Sequence, residues 1–279
     1  MMRPTLPLLL ASALGVLAKK KDSDSGTVWA TPHEQYSSSV GVLGCLVNTN
    51  RIAYWPGSVS CTNICVKLSY EGRSVHLLRI DQSEGAYDVS YDAWNYLKTG
   101  KSATEEASTG GPLPMEFENV DADECADLIN TDDGRLPLSA SNSMNFLASC
   151  LEDEGSWVGK NYQLYNVLDP ICSWGFEEKC DLDWPTANQA DCPSGLGKPE
   201  TLECESPVYN IQYGTGNYVL ASSGQVVDEP SAGSSMVRYT KPGFSIALPA
   251  SNKVVSAGER QLYVPFSLLL PIAMFFWMR

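Results

Sequence analysis

Histidine is nearly absent from this sequence: its 279 residues include only two, His33 and His76. Zinc sites built from cysteine and histidine therefore have little material, and so has a Ser-His-Asp catalytic triad. We accordingly expect no metal site and no bound cofactor. A glycine-rich phosphate loop following a strand is also missing. The short segment Gly214-Thr215-Gly216 lacks that context and is interpreted as linker.

Positive charge is scarce as well, since 19 Lys and Arg residues face 33 Asp and Glu residues and the net charge is −14. A surface this acidic repels phosphate backbones, which excludes nucleic acid as an expected partner. The sequence also contains no Asn-x-Ser/Thr sequon. Any glycosylation is therefore expected to be O-linked on the Ser/Thr-rich stretches.

No apolar run reaches the about 20 residues that a membrane-spanning helix needs. The first of two shorter runs, Leu6–Leu17, follows a basic start at Arg3 and ends in Val16-Leu17-Ala18. A basic start, a short apolar stretch and small or apolar residues at the cleavage site are typical of a secretory signal peptide. The sequence therefore predicts a signal peptide over residues 1–18 and a secreted protein.

The second short apolar run, Val264–Met278, is interrupted by two prolines and ends one residue before the C-terminus. Small residues and a short polar spacer precede it, as in a glycosylphosphatidylinositol (GPI) attachment signal, predicted here over residues 257–279. Ser256 is the expected attachment residue, with Asn252 or Ser251 as alternatives. A single-pass membrane anchor is the competing interpretation. A lipid anchor would hold the protein on the extracellular face of the plasma membrane or at the cell wall.

All nine cysteines lie inside the predicted mature protein. In an oxidising compartment they are expected to form disulfides, and the odd number leaves one thiol free or paired with another molecule. The connectivity cannot be deduced from the sequence. The disulfide candidates are Cys45, Cys61, Cys65, Cys125, Cys150, Cys172, Cys180, Cys192 and Cys204.

Short runs of apolar and β-branched residues, separated by turn residues, follow one another at spacings of about ten residues. This rhythm favours a small all-β sandwich or barrel. A helix is predicted over Ser90–Leu97, with Ser90 as its cap, and residues 19–35 are assigned to a polar lead-in. The predicted strands are 39–47, 51–55, 63–70, 74–80 and 113–120.

A second, cysteine-rich block is predicted over residues 126–214, with its clearest helix at Asn142–Leu151. Beyond it cysteines vanish while serine, glycine and proline rise, so residues 215–256 are interpreted as a flexible stalk. The expected fold class is mainly β, with a barrel followed by a disulfide-rich mixed α/β block and this stalk.

Four segments carry a resemblance to a known family. In order along the chain they are Cys61-Thr62-Asn63-Ile64-Cys65-Val66, Leu78-Arg79-Ile80-Asp81-Gln82, Gly85-Ala86-Tyr87-Asp88-Val89-Ser90, and Leu113-Pro114-Met115-Glu116-Phe117 with the following chain to Cys125. Together they resemble the barwin and expansin group, which includes the rare-lipoprotein-A-like proteins. The resemblance implies a six-stranded double-psi β-barrel over residues 36–125, of the kind found in fungal secreted proteins.

The chain departs from the family pattern at several positions. Three residues separate Cys61 from Cys65 where the family has two, and Ser83 stands where barwin has a cysteine. The His-Phe pair of the plant motif is Ala86-Tyr87 here. No segment after Cys125 resembles the carbohydrate-binding second domain of an expansin.

Two aspartates are the candidate chemical groups. By resemblance, Asp88 matches the groove aspartate that acts as general acid in related endoglucanases, and Asp81 matches a second groove carboxylate of expansins. An inverting hydrolase also needs a general base, which those endoglucanases supply from the first strand. No Asp or Glu occurs from Tyr36 to Tyr70, so the predicted first strand cannot supply it. This absence resembles the expansins, which loosen walls without hydrolysis.

Each candidate also has a structural interpretation. Asp88 could cap the helix or bond backbone amides, Asp81 could fix the turn at Gln82-Ser83, and Asp92 is expected to be solvated. The aromatic residues that could stack on sugar rings are Tyr54, Trp55, Tyr87 and Tyr91. Trp55 could instead fill one end of the barrel, and Trp94 is expected in the core.

Three functions remain open at this point. The leading hypothesis is a cell-wall protein that binds polysaccharide, such as glucan or chitin, without cleaving it. The second is a glycoside hydrolase or lytic transglycosylase that uses Asp88 as its acid. The third is a protein-binding surface antigen or effector in which the barrel is only a scaffold.

Overall fold

A closed β-barrel forms the first half of the computed structural model, which describes residues 24–202, 204 and 206–228. The barrel order is β1-β5-β2-β4-β3-β6. The β1/β5 and β2/β4 pairs are parallel, and the remaining pairs are antiparallel. The strands are β1 (Ser25–His33), β2 (Ile52–Pro56), β3 (Cys65–Tyr70), β4 (Arg73–Ser83), β5 (Tyr87–Ser90) and β6 (Leu113–Val120), and helix α1 (Tyr91–Thr99) follows β5.

Alternation along the strands separates the barrel interior from its outer face. All six strands contribute to one interior cluster, which includes Val28, Ala53, Leu68, Val89 and Met115. The neighbouring positions of β2 and β4 point outward and are nevertheless buried, because they join a second cluster that contains most of the C-terminal half. The outer face of β1 and β6 stays open, with exposed residues along both strands.

The structure corrects the predicted start of the barrel. β1 lies within residues 19–35, which the sequence assigned to a lead-in, while the predicted strand 39–47 contains a short 3-10 helix, Gly44–Leu46, and no strand. Residues 40–45 are all buried. The continuous apolar run therefore reflects burial on every side, and Gly41, with φ of 77°, breaks the extended conformation.

Helix α1 closes one end of the barrel with Ala93, Trp94 and Leu97, all fully buried, which confirms Trp94 as a core residue. The Trp94 indole donates to the carbonyl of Ala30 at 3.2 Å. Asp92, expected to be solvated, is 3% exposed and forms an ion pair with Arg51 at 2.9 Å. The expectation for Asp92 is therefore wrong.

The C-terminal half adds two small sheets and two helices. The first sheet has the order β7 (Leu136–Ser139), β8 (Tyr162–Val167), β9 (Gly175–Cys180), and between β7 and β8 lie helices α2 (Met144–Leu151) and α3 (Trp157–Lys160). The second sheet is β10 (Tyr209–Ile211), β11 (Tyr218–Leu220), β12 (Val226–Val227). Residues 215–228 of the predicted stalk therefore belong to a folded sheet, and Gly214-Thr215-Gly216 is the turn between β10 and β11.

Four disulfides pair eight of the cysteines: Cys45–Cys172, Cys61–Cys150, Cys65–Cys125 and Cys180–Cys192. Two of them, Cys45–Cys172 and Cys61–Cys150, join the barrel half to the region after residue 125. All described residues fall within one compact unit, so the predicted boundary at 125/126 does not separate two domains.

The predicted signal peptide, most of the stalk and the GPI signal with Ser256 and Asn252 lie outside the described residues. Among the residues that the structure describes, no helix has the length and apolar character required to cross a bilayer.

Candidate functional site

The two candidate aspartates lie in one row across the outer face of the barrel. In the strand register, Asp81 on β4 stands opposite Tyr54 on β2, and Tyr54 stands opposite Asp88 on β5. Asp88 in turn faces Thr31 on β1. Because strands are spaced by about 4.8 Å, the Cα atoms of the two aspartates are separated by about 10 Å. The fold thus brings Asp81 and Asp88 to either side of one tyrosine.

Asp81 is closed off from solvent, being 8% exposed. One carboxylate oxygen accepts the backbone N–H groups of Ser39 and Gln82, each at 2.8 Å, and the other accepts the hydroxyl of Ser37. These three donors fix the segment around residues 37–39 to the end of β4. Asp81 therefore links the end of β4 to the segment around residues 37–39. Its bond to Gln82 agrees with the interpretation that Asp81 fixes the Gln82-Ser83 turn, whereas the bonds to Ser37 and Ser39 were not expected.

Tyr54, between the two aspartates, is 3% exposed and so cannot present its ring to a sugar. Its ring centroid lies 4.4 Å from that of His33, which extends the row toward β1. Burial raises the pKa of Tyr54 well above its usual value, and the charges of Asp81 and Asp88 raise it further. The Tyr54 hydroxyl thus stays protonated between two carboxylates.

Asp88 is the carboxylate of this row with partial access to solvent. The Thr31 hydroxyl donates a hydrogen bond to it across the parallel β1/β5 pair. The N-cap position of α1 belongs to Ser90, whose hydroxyl instead donates to the carbonyl of Thr49 at 2.7 Å. Asp88 therefore lies on a strand with its carboxyl near the open part of the outer face.

Two of the predicted sugar-stacking residues lie inside the molecule. Trp55 is 2% exposed and packs edge-on against Tyr87 and Phe117, at centroid distances of 5.3 and 5.2 Å. It fills the barrel interior, as its structural interpretation stated. Tyr91 is also 2% exposed, and its hydroxyl donates to the carbonyl of Ser108 at 2.7 Å. Trp55 and Tyr91 therefore cannot serve as a sugar-binding surface, whereas Tyr87 is half-buried at the barrel interior.

Trp29 is an exposed aromatic residue that the sequence patterns did not single out as a candidate for binding. Its side chain is 62% exposed on the outer face of β1, two positions before Thr31. Its backbone partner on β6 is Pro114. In the sequence, β1 is marked only by Val28 and Ala30, which alternate with Thr27 and Trp29 and are the buried pair in the structure. The polar residues on either side obscure this alternation.

Two adjoining cavities lie on the open outer face of β3, β6 and β1, with volumes of about 530 and 540 Å³, and they share Lys67, Ser69 and Glu116. A third, of about 690 Å³, is lined by residues 184–191 inside the loop closed by the Cys180–Cys192 disulfide. Neither Asp81 nor Asp88 lines any of these three.

The carboxylates limit what chemistry the row can perform. Asp88 has solvent access, but Asp81 is held by three donors and is not positioned to activate water. The observed first strand, Ser25–His33, contains no Asp or Glu either. Within this row, Asp88 is therefore the one carboxylate with access to solvent.

Comparison of the chain with protein-family models gives no match, and comparison with curated proteins gives none.

Proposed function

We propose that this protein is secreted, is tethered outside the cell, and binds cell-wall polysaccharide without cleaving it. The contact surface is the outer face of β1 together with the adjoining, half-buried position Asp88 of β5, and it includes Trp29. The carrying observation is that Asp88 keeps partial solvent access one strand away from β1, which carries the exposed Trp29, while Asp81, the other carboxylate of the row, is engaged by three donors.

The architecture supports this proposal. A closed six-stranded barrel with mixed pairing is consistent with a double-psi barrel of the expansin and barwin type. The motif around Asp88 falls on β5 and the start of α1, in the order that the resemblance implies. Export and tethering rest on the signal peptide and the GPI signal proposed from the sequence.

The dimensions of the surface suit a sugar chain. Trp29 and Thr31 are two positions apart on one face of β1, about 7 Å along the strand, and Asp88 is one strand spacing of about 4.8 Å away. An exposed indole provides a flat apolar face for the C–H side of a pyranose, while Asp88 and Thr31 provide polar partners for its hydroxyls. The acidic surface disfavours polyanionic polymers and leaves neutral glycans such as glucan or chitin as ligands.

Retention on insoluble glucan, chitin and cellulose tests the proposal. Replacement Trp29→Ala is expected to weaken binding by about 1 kcal/mol, or about fivefold in Kd, because the stacking surface is lost. Asp88→Asn is expected to weaken it by at least as much, because a hydrogen bond to a charged acceptor is lost. The matched control is Trp174→Ala, which removes another exposed tryptophan, 47% accessible, from the C-terminal half.

Release of reducing ends, measured on the same polymers, separates the competing functions. New reducing ends that disappear in Asp88→Asn would overturn the non-hydrolytic proposal in favour of a glycoside hydrolase. Soluble fragments that end in a 1,6-anhydro sugar, detected by mass spectrometry, would overturn it in favour of a lytic transglycosylase. No retention on any polymer, with Asp88→Ala tolerated, would favour a protein-binding scaffold.

A further inference from the structure

A free thiol lies beside a disulfide in the C-terminal half. Among the described residues, Cys204 is the cysteine outside the four disulfides. Its Sγ atom and those of Cys45 and Cys172 all lie within 4.8 Å of one another. The Cys204 thiol also donates to the carbonyl oxygen of Cys172 at 3.3 Å. Three sulfur atoms, two of them bonded, are therefore gathered in one cluster.

Backbone pairing holds Cys204 in this position. Trp174 and Thr201 form an antiparallel bridge. On either side of it, the N–H of Gly175 donates to the carbonyl of Glu200 at 2.8 Å, and the N–H of Leu202 donates to that of Ser173 at 3.0 Å. Residues 200–202 thus run alongside residues 173–175, and this pairing lies close to both Cys204 and Cys172.

We propose that Cys204 is an internal nucleophile for the Cys45–Cys172 disulfide, so that Cys172 exchanges its partner between Cys45 and Cys204. The Cys204 thiol first loses its proton to water, and the thiolate attacks Sγ of Cys172. A Cys172–Cys204 bond forms as the Cys45–Cys172 bond breaks, and Cys45 leaves as a thiolate that takes a proton from water. One thiol and one disulfide are present before and after, so the step consumes no oxidant or reductant.

The hydrogen bond of the Cys204 thiol favours Cys172 over Cys45 as the sulfur that is attacked. The Cys204 thiol is hydrogen-bonded to the Cys172 main chain, which places it on that side of the disulfide. Cys172 also has a φ of 57°, in the left-handed region that a non-glycine residue rarely adopts. A residue held in such a conformation depends on its surroundings, here including the cross-link to Cys45.

The exchange changes what the cross-link joins. Cys45 belongs to residues 37–47, called here the covering segment, whose residues Ser37 and Ser39 donate hydrogen bonds to the Asp81 carboxylate. In the described state this segment is tied covalently to the C-terminal half. A Cys172–Cys204 disulfide would instead lie entirely within the C-terminal half and leave the covering segment held by hydrogen bonds and packing alone. The cluster is thus a covalent switch for the segment that covers one side of the barrel.

The reaction is slow at neutral pH and accelerates in alkali. Burial raises the pKa of the Cys204 thiol to about 11, and the carboxylates of Glu177 and Asp169 raise it as well. The attacking species is the thiolate, so the exchange rate should rise about tenfold for each pH unit below that pKa.

Mapping of the free thiol in the unreduced protein tests the proposal. The purified protein is incubated over a range of pH, its thiols are alkylated after acid quenching, and its peptides are identified by mass spectrometry without reduction. We expect alkylated Cys45 and a Cys172–Cys204 linked peptide to appear with time, faster at higher pH. The Cys180–Cys192 pair serves as internal control and stays unlabelled.

Two variants sharpen the result. Cys45→Ser is expected to contain a Cys172–Cys204 disulfide, and Cys204→Ser is expected to show no alkylation of Cys45 at any pH. Alkylation confined to Cys204 in the wild-type protein, at every pH and time, would overturn the proposal. This measurement uses the wild-type protein alone and so does not depend on whether the variants fold. Alkylation of Cys172 instead of Cys45 would likewise overturn the assignment of Cys172 as the exchanging residue.

Discussion

Asp92 and Arg51 form an ion pair inside the molecule, with 3% and 5% of each residue exposed. The Asp92 carboxylate also accepts the hydroxyl of Ser102 at 2.6 Å and the N–H of Ala103 at 2.7 Å. It therefore joins helix α1 to the start of β2 and to the loop after the helix. Sequence position alone assigned Asp92 to solvent, because nothing local shows that an arginine 41 residues away meets it.

Replacement of Asp92 by alanine should lower the free energy of unfolding by about 3–5 kcal/mol, because it leaves the Arg51 charge buried without its main partner. Urea denaturation measures the change. Glu105→Ala, an exposed carboxylate in the neighbouring loop, is the control and should stay within about 0.5 kcal/mol of wild type. A loss near that of the control in Asp92→Ala would contradict the role assigned to the pair.

At the scale of elements, the segment between β1 and β2 is part of the folded core although most of it forms neither helix nor strand. It is buried over residues 40–45 and fixed to the end of β4 by the Asp81 carboxylate. Asp81, which the resemblance placed in a groove, thus connects β4 to the segment between β1 and β2.

Replacement of Asp81 by alanine should lower the free energy of unfolding by about 2–3 kcal/mol, since two backbone donors and one hydroxyl lose their acceptor. Hydrogen exchange should show reduced protection at the amides of Ser39 and Gln82. Retention on polysaccharide should fall less than in Asp88→Asn. Equal loss of retention in both variants, with unchanged exchange at Ser39, would mean that Asp81 contacts the ligand directly.

The sequence predicted the elements whose signal is local. Strands β2, β3, β4 and β6 were predicted from short runs of apolar and β-branched residues bounded by turn residues, and helix α1 from the spacing of Ala93, Trp94 and Leu97. β1 was missed because only Val28 and Ala30 mark its interior side. Whether Tyr54 or Trp55 reaches solvent depends on what packs against β2 from distant parts of the chain, and no local pattern carries that information.

At the scale of the whole molecule, the barrel and the C-terminal half share one of the two buried clusters, the one on the outer face of β2 and β4. Outward-facing residues of β2 and β4, such as Ile52 and Ile80, belong to the same buried cluster as Leu136 and Leu164. Two disulfides cross the same boundary. Neither half therefore buries all of its apolar surface without the other.

Thermal unfolding of the disulfide-intact protein should accordingly show one cooperative transition, with equal calorimetric and van't Hoff enthalpies. Scanning calorimetry makes the measurement. The fragment of residues 24–125, which exposes the apolar outer face of β2 and β4, should aggregate or stay unfolded. Two separate transitions, or a soluble folded fragment, would show that the halves are independent domains.

The closure of the barrel by β1 also has a consequence for biosynthesis. Ala30 pairs with Leu113, so the earliest strand to leave the ribosome completes its hydrogen bonds only after β6 has been made. At about 5–20 residues per second, the wait is about 4–16 s. During that interval the edge of β1 that pairs with β6 lacks its hydrogen-bond partners, and such an unpaired edge is a template for pairing with another chain.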